Sequence, residues 1–205
     1  MVVELFTSQG CSSCPPADET LRELARRDDV LALALHVDYW DYIGWADAFA
    51  DPAFTRRQKS YALAAGETMI YTPQMIVGGV DHVIGNRPVE VYDRIMTHAA
   101  HDSGIRVQLE PAGDSLAVRV TAERDRGPMV VQLVRYDAEQ VVDIERGENA
   151  GHTIHYANIV TSWEVISEWD GAAPLETVVE RGESPLAVIV QAPGPGPILA
   201  AAQLD

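Results

Sequence analysis

The chain has 205 residues, room for one or two domains of ordinary size. With 47% hydrophobic residues, 22% charged residues and two cysteines, it is neither a disordered chain nor a disulfide-stapled miniprotein. A net charge of −16 repels phosphate backbones and anionic lipid, which argues against a general nucleic-acid binder and against insertion at a membrane surface.

The first hundred residues alternate strand and helix. Val2–Phe6 is a β-rich run that begins at once. No basic n-region or apolar h-region precedes it, which fits a chain whose leader has been removed. The turn Thr7-Ser8-Gln9-Gly10 leads into Cys11-Ser12-Ser13-Cys14. Pro15 and Pro16 suit the first turn of a helix, and Asp18 and Glu19 suit the positive end of its dipole. Ala17, Leu21, Leu24 and Ala25 then share one helical face. Leu31–Val37 reads as a buried strand whose six-residue apolar stretch, Val30–Leu35, is the longest in the chain. A membrane-spanning helix needs about 20 apolar residues. Asp51-Pro52 is an N-cap followed by proline, and it opens a helix carrying Phe54, Tyr61 and Ala65. Met75–Val77 and Val80–Ile84 are strands joined by Gly78-Gly79, a hairpin signal. Asn86 and Pro88 open a last helix with Val91, Ile95 and Ala99 on one face.

From Ile105 the helical spacing stops and period-two runs take over. They are Ile105–Leu109, Leu116–Thr121, Val130–Tyr136, Val141–Ile144, Ile154–Val160, Leu175–Val179, Leu186–Gln191 and Ile198–Gln203. About eight short strands separated by turn clusters predict an all-β sandwich-like domain over residues 103–205. The boundary falls at His101–Gly104.

The Cys pair carries the chemistry. A CxxC at a helix N-terminus puts the first sulfur near free backbone N–H groups, which favour thiolate over thiol. Cys11 is therefore the expected nucleophile and the more exposed thiol. Cys14, one turn in, is placed to resolve a mixed disulfide. A structural disulfide or half a zinc site are the plain alternatives, but the sequence offers no second CxxC to complete four zinc ligands.

Strand–CxxC–helix, strand, helix, X-Pro-strand hairpin and final helix is the thioredoxin order, and residues 1–102 resemble that α/β fold. More narrowly, the stretch Val3-Glu4-Leu5-Phe6-Thr7-Ser8-Gln9-Gly10-Cys11-Ser12-Ser13-Cys14-Pro15-Pro16-Ala17-Asp18 resembles a bacterial domain-of-unknown-function family of secreted thioredoxin-like proteins. So do His36–Trp45 and Tyr71-Thr72-Pro73-Gln74-Met75, and more weakly Arg146–Gly151. The resemblance implies a thioredoxin-like fold and a periplasmic or secreted location, with the cytoplasm as the alternative. It implies a cis bond at Thr72–Pro73, with Pro73 holding a substrate strand. It also implies a buried acid on the strand leading into CxxC, and Glu4 is the acid on that strand. Glu4 is then the proton acceptor for Cys14. Ser12 and Ser13 stand where thioredoxin has Gly-Pro.

The loop Asp38–Asp51 holds Tyr39, Trp40, Tyr42, Trp45 and Phe49. It follows a strand whose C-terminal end lies beside the Cys pair, where ligands bind in open α/β sheets. It reads either as an aromatic wall over the substrate groove, with Trp40 and Trp45 touching substrate, or as a local minicore. His36 reads as a core residue or as a third group near the thiols.

Three functions follow. The first is a thiol–disulfide oxidoreductase acting on protein or peptide thiols through Cys11 and Cys14, with no cofactor beyond that disulfide. The second is a redox-sensitive binding module. The third is a soft-metal delivery protein using Cys11, Cys14 and His36.

Overall fold

A computed structural model describes residues 1–204. The strand β1 (Val2–Thr7) leads to the helix α1 (Pro15–Leu24), then β2 (Leu31–His36), a short 3₁₀ turn (Asp41–Ile43) and α2 (Pro52–Ala64). The hairpin β3 (Gln74–Val77) and β4 (Asp81–Ile84) precedes α3 (Pro88–Ala99). These elements match the expected order. The Asp51 carboxylate caps α2 by accepting from the Ala53 amide at 2.7 Å. Gly78 and Gly79 both take positive φ in the β3–β4 turn, a conformation glycine adopts without a steric penalty.

The remaining elements are strands: β5 (Ile105–Ala112), β6 (Ser115–Ala122), β7 (Met129–Asp143), β8 (Thr153–Trp169), β9 (Leu175–Glu180), β10 (Leu186–Gln191) and β11 (Ile198–Leu204). There are seven among the described residues, against the eight expected. The runs Val130–Tyr136 and Val141–Ile144 are one strand, β7, because it pairs with β8 from Met129↔Trp169 to Asp143↔Thr153. The residues between the two runs, including Ala138-Glu139-Gln140, are strand residues that face solvent where this long ribbon projects.

The main sheet runs β11-β10-β7-β8-β2-β1-β3-β4, and a second sheet runs β5-β6-β9. The chain does change from mixed to all-β between Ala99 and Ile105, but the sheet does not divide there. β8 lies beside β2 in parallel, paired at Ala34↔Ile159, and Asn158 Nδ2 donates to the Ala32 carbonyl at 2.8 Å. The sandwich of the second half therefore shares its larger sheet with the first half. Its core holds Ile105, Leu116, Val118 and Val120 against Val131, Leu133, Val188 and Val190.

Strand alternation sorts the first half into two faces. Val3 and Leu5 of β1 face α1 and α3 through Ala17, Leu21, Leu24, Val91 and Ile95. Val2 and Phe6 face α2 through Phe54 and Tyr61.

Candidate active site

Cys11 and Cys14 form a disulfide, with Cα atoms 5.4 Å apart. Cys14 is the N-cap residue of α1: its carbonyl accepts from the amides of Ala17 at 2.8 Å and Asp18 at 3.1 Å. Cys11 sits just ahead of the helix start, but the free amides expected there are not found: Pro15 and Pro16 carry no N–H, and the Ala17 and Asp18 amides are taken by the Cys14 carbonyl. In the disulfide both cysteines are buried, Cys11 at 1% exposure and Cys14 at 0%, so exposure does not separate them. Only Ser12 and Ser13 reach solvent at the motif.

Two segments account for this cover. Trp40 packs so closely on Gly10 that a Cβ there would lie 3.2 Å from the Trp40 Cβ. The loop between β7 and β8 adds Asn149, whose Nδ2 donates to the carbonyls of Gln9 at 2.8 Å and Cys11 at 3.0 Å. Trp40 also reaches Thr72, its Nε1 donating to Thr72 Oγ1 at 2.7 Å. The Thr72–Pro73 bond is cis, as expected. Pro73 is buried against the first turn of α1: a Cβ at Gly85 would meet both Pro73 Cβ at 2.9 Å and Ala17 Cβ at 3.0 Å. Trp40, Thr72 and Pro73 thus gather beside the Cys pair.

Trp45 takes a different place. Its Nε1 donates to Gln9 Oε1 at 2.7 Å, and its ring joins Phe49 against Ile144, Ile154, Tyr156 and Ile159. The aromatic loop is split. Trp45 and Phe49 form the minicore, Trp40 stays at the site, and Tyr42 alone is mostly exposed, at 81%.

Behind the cysteines lies a buried polar cluster. Asp18 follows Cys14 by one helical turn and faces inward, where Thr7 Oγ1 donates to its Oδ1 at 2.8 Å. His36 Nδ1 and Asp47 Oδ2 are 2.7 Å apart with both side chains at 0% exposure. The Gln9 amide donates to the same Asp47 oxygen at 2.8 Å. Tyr156 stacks edge-on against His36, ring centroids 4.9 Å apart. Burial pushes the Asp18 carboxyl up to about 7; His36 and the Thr7 hydrogen bond oppose that rise, and Asp47 adds to it. Burial, with Asp18 and Asp47 nearby, also holds the Tyr156 hydroxyl well above its ordinary value.

Glu4 is fully buried, as expected, but it is not with the cysteines. It shares the α2 face with Val2 and Phe6, opposite the face that carries α1. There Arg57 donates from Nε to Oε2 at 2.6 Å and from Nη2 to Oε1 at 3.0 Å, and the Tyr61 hydroxyl donates to Oε1 at 2.6 Å. The Arg57 guanidinium stacks on Trp163 at 3.7 Å. An acid so held is the partner of a buried cation. The proton-acceptor role assigned to Glu4 does not fit this position.

The sequence reading passed over Asp18, Asp47, Asn149 and Tyr156. Asp18 had a usable signal, since four residues after Cys14 puts both on one helical face. Asn149 had only its place in Arg146–Gly151, and Tyr156 had none. Among the described residues, no group of three or more His, Cys, Asp or Glu side chains is arranged to hold a metal ion, and no helix is long and apolar enough to cross a membrane.

Residues 2–191 match the family described as "Protein of unknown function (DUF1223)". The chain belongs to this family. A crystal structure of protein AGR_C_4864 from Agrobacterium tumefaciens is similar over almost the whole length, at 36% identity and a TM-score of 0.86. The match covers 99% of this chain and 92% of that one. No curated protein matches. The DUF1223 assignment spans β1 to β10, so it crosses the point where helices give way to strands.

Proposed function

We propose that this DUF1223 chain is a thiol–disulfide oxidoreductase of thioredoxin-like type that exchanges Cys11–Cys14 with thiols of proteins or peptides. The observation that carries the reading is the disulfide at the start of α1, bordered by Trp40 and Thr72–Pro73. The arrangement β2-β1-β3-β4, with α1 and α3 on one face and α2 on the other, supports a thioredoxin-like reading of the first half. A substrate thiolate attacks Cys11, the Cys11–Cys14 bond breaks, and Cys14 leaves as thiolate. A second substrate thiol then releases Cys11, so the substrate is oxidised to a disulfide and the Cys pair reduced. The reading carries with it an exported location, periplasmic or secreted, with the cytoplasm as the alternative.

Burial of both sulfurs favours a second reading, a binding module in which the disulfide is a redox-sensitive clip. The test is exchange. Oxidised protein is mixed with glutathione or dithiothreitol and quenched by alkylation, and the products are weighed by mass spectrometry. A Cys14→Ser variant that, given oxidised glutathione, accumulates a mixed disulfide at Cys11 and releases reduced glutathione supports the oxidoreductase. A pair that exchanges no faster than an unstructured disulfide supports the clip.

A further inference from the structure

The exchange just described leaves the buried polar cluster without a task. Asp18 N donates to the Cys14 carbonyl at 3.1 Å, so the two side chains are helix neighbours, with Cβ atoms about 5–6 Å apart. Thr7 from β1 occupies Asp18 Oδ1, and Oδ2 has no partner among the described residues. Facing it are His36 from β2, Asp47 from the aromatic loop and Tyr156 from β8. Asp47 occupies His36 Nδ1, while His36 Nε2 and the Tyr156 hydroxyl also have no partner. Among the described residues no Lys or Arg pairs with any of these groups. On the outer face of α1, Glu19 and Arg22 pair with each other instead, and Glu23 accepts from the Tyr92 hydroxyl at 3.4 Å. Asp18 is thus a buried carboxyl with one committed oxygen and one free oxygen, one helical turn from Cys14.

We propose that Asp18 is the proton carrier of the Cys14 sulfur, giving a proton when the disulfide opens and taking it back when it closes. This rests on the exchange reading above. When an incoming thiolate attacks Cys11 Sγ, a new S–S bond forms there and the Cys11–Cys14 bond breaks. The electron pair of the broken bond goes to Cys14 Sγ. The Asp18 carboxylic acid then protonates that sulfur and becomes a carboxylate. Closure runs backwards: Asp18 takes the Cys14 proton, Cys14 attacks Cys11 Sγ, and the bound sulfur leaves as thiolate. Burial that keeps a share of Asp18 protonated near neutral pH makes the acid available for opening. Tyr156 and the His36–Asp47 pair are positioning residues. The Tyr156 O–H supplies a donor facing the carboxylate that forms, and Asp47 fixes the imidazole that faces it.

The test is stopped-flow reduction of the oxidised protein by dithiothreitol, with the rate divided by the thiolate concentration at each pH. In the wild type this corrected rate is expected to hold a plateau at acid pH. It should fall about ten- to a hundredfold across an inflection near 7. Asp18→Asn should be about ten- to a hundredfold slower on the plateau and without the inflection. A second variant separates proton transfer from a structural role. In Cys14→Ser protein carrying glutathione on Cys11, dithiothreitol displaces no Cys14 sulfur, so adding Asp18→Asn should change the rate less than about twofold. A flat corrected rate in the wild type overturns the proposal without any variant. So does an Asp18→Asn defect that persists in the Cys14→Ser background. A wild-type disulfide that dithiothreitol does not open overturns the exchange reading and this step with it. An opening that ignores Asp18 overturns only this step.

Discussion

Replacing Arg57 by Ala is the sharpest test of how the two halves are held together. Arg57 sits on α2 with 13% of its side chain exposed and makes both hydrogen bonds that neutralise the fully buried Glu4. Burial alone would lower the guanidinium, but the Glu4 carboxylate and the hydrogen bonds to Glu4 and Tyr61 hold it above its ordinary value. The side chain also covers the Trp163 ring and donates to Gln191 Oε1 at 3.2 Å. Arg57→Ala leaves one donor, Tyr61, on a carboxylate that water does not reach. Breaking a buried pair on one side costs about 3–5 kcal/mol, against about 0–1 for an exposed pair. Loss of the ring contact adds about 1 kcal/mol. The expected loss is therefore about 4–6 kcal/mol. The double variant Glu4→Gln/Arg57→Met removes both charges and keeps an unbranched chain against Trp163. It should recover all but about 1–2 kcal/mol, since an apolar replacement of a buried pair is often close to neutral. Equilibrium unfolding in urea at pH 7, with slopes compared, measures both. A loss under about 1 kcal/mol for Arg57→Ala, or a double variant no better than the single, refutes the reasoning.

The folded Asp18 value of about 7 lies above the ordinary 3.8, so the folded state binds the extra proton. Stability then falls as pH rises from about 4 through 7, by at most about 4 kcal/mol. Asp18→Asn removes that slope, and thermal melts at pH 5 and 8 should show the variant gaining on the wild type at the higher pH. Gly79→Ala meets a left-handed φ of 76° and a Cβ 2.6 Å from the Gly196 carbonyl oxygen, so it should cost about 2–3 kcal/mol. Gly151→Ala, at φ 85° with open space around it, should cost only about 1 kcal/mol by the same melts. Asn149→Ala removes both donors to the Gln9 and Cys11 carbonyls, at a cost of about 1–3 kcal/mol. It should also speed alkylation of Cys11 in reduced, folded protein; an unchanged rate means the β7–β8 loop does not govern access.

The mixed half was legible because its signals are local. The Asp51 cap, the two helix-opening prolines and the Gly78-Gly79 turn each act within a few residues, and each is used as read. The division of β7 was misread because solvent-facing residues in a projecting ribbon carry the same polar composition as a turn. Glu4 and Phe6 share one face, as strand alternation requires. Which face carries the Cys pair depends on how Ser8–Gly10 turns, and that turn is held by groups distant in sequence. Gln9 is fixed by Asp47, Trp45 and Asn149, and none of these pairings leaves a periodicity to detect. Trp40 lies against Gly10 and Thr72 beside the Cys pair, while Trp45 went to the minicore because the β7–β8 ribbon offers it apolar neighbours.

The hydrogen bond from Asn149 to Cys11 joins residues 138 positions apart, and this separation has a temporal meaning. A ribosome adds about 5–20 residues each second, so roughly 7–28 s pass between synthesis of the motif and of its cover. Until then Trp40 can close over Gly10, but nothing holds the Gln9 and Cys11 carbonyls from the other side. Before the β7–β8 loop docks, the Asn149 cover is missing and both sulfurs are easier to reach; burial comes afterwards. The second half of the protein thus acts on the first as a late seal over the Cys11–Cys14 disulfide.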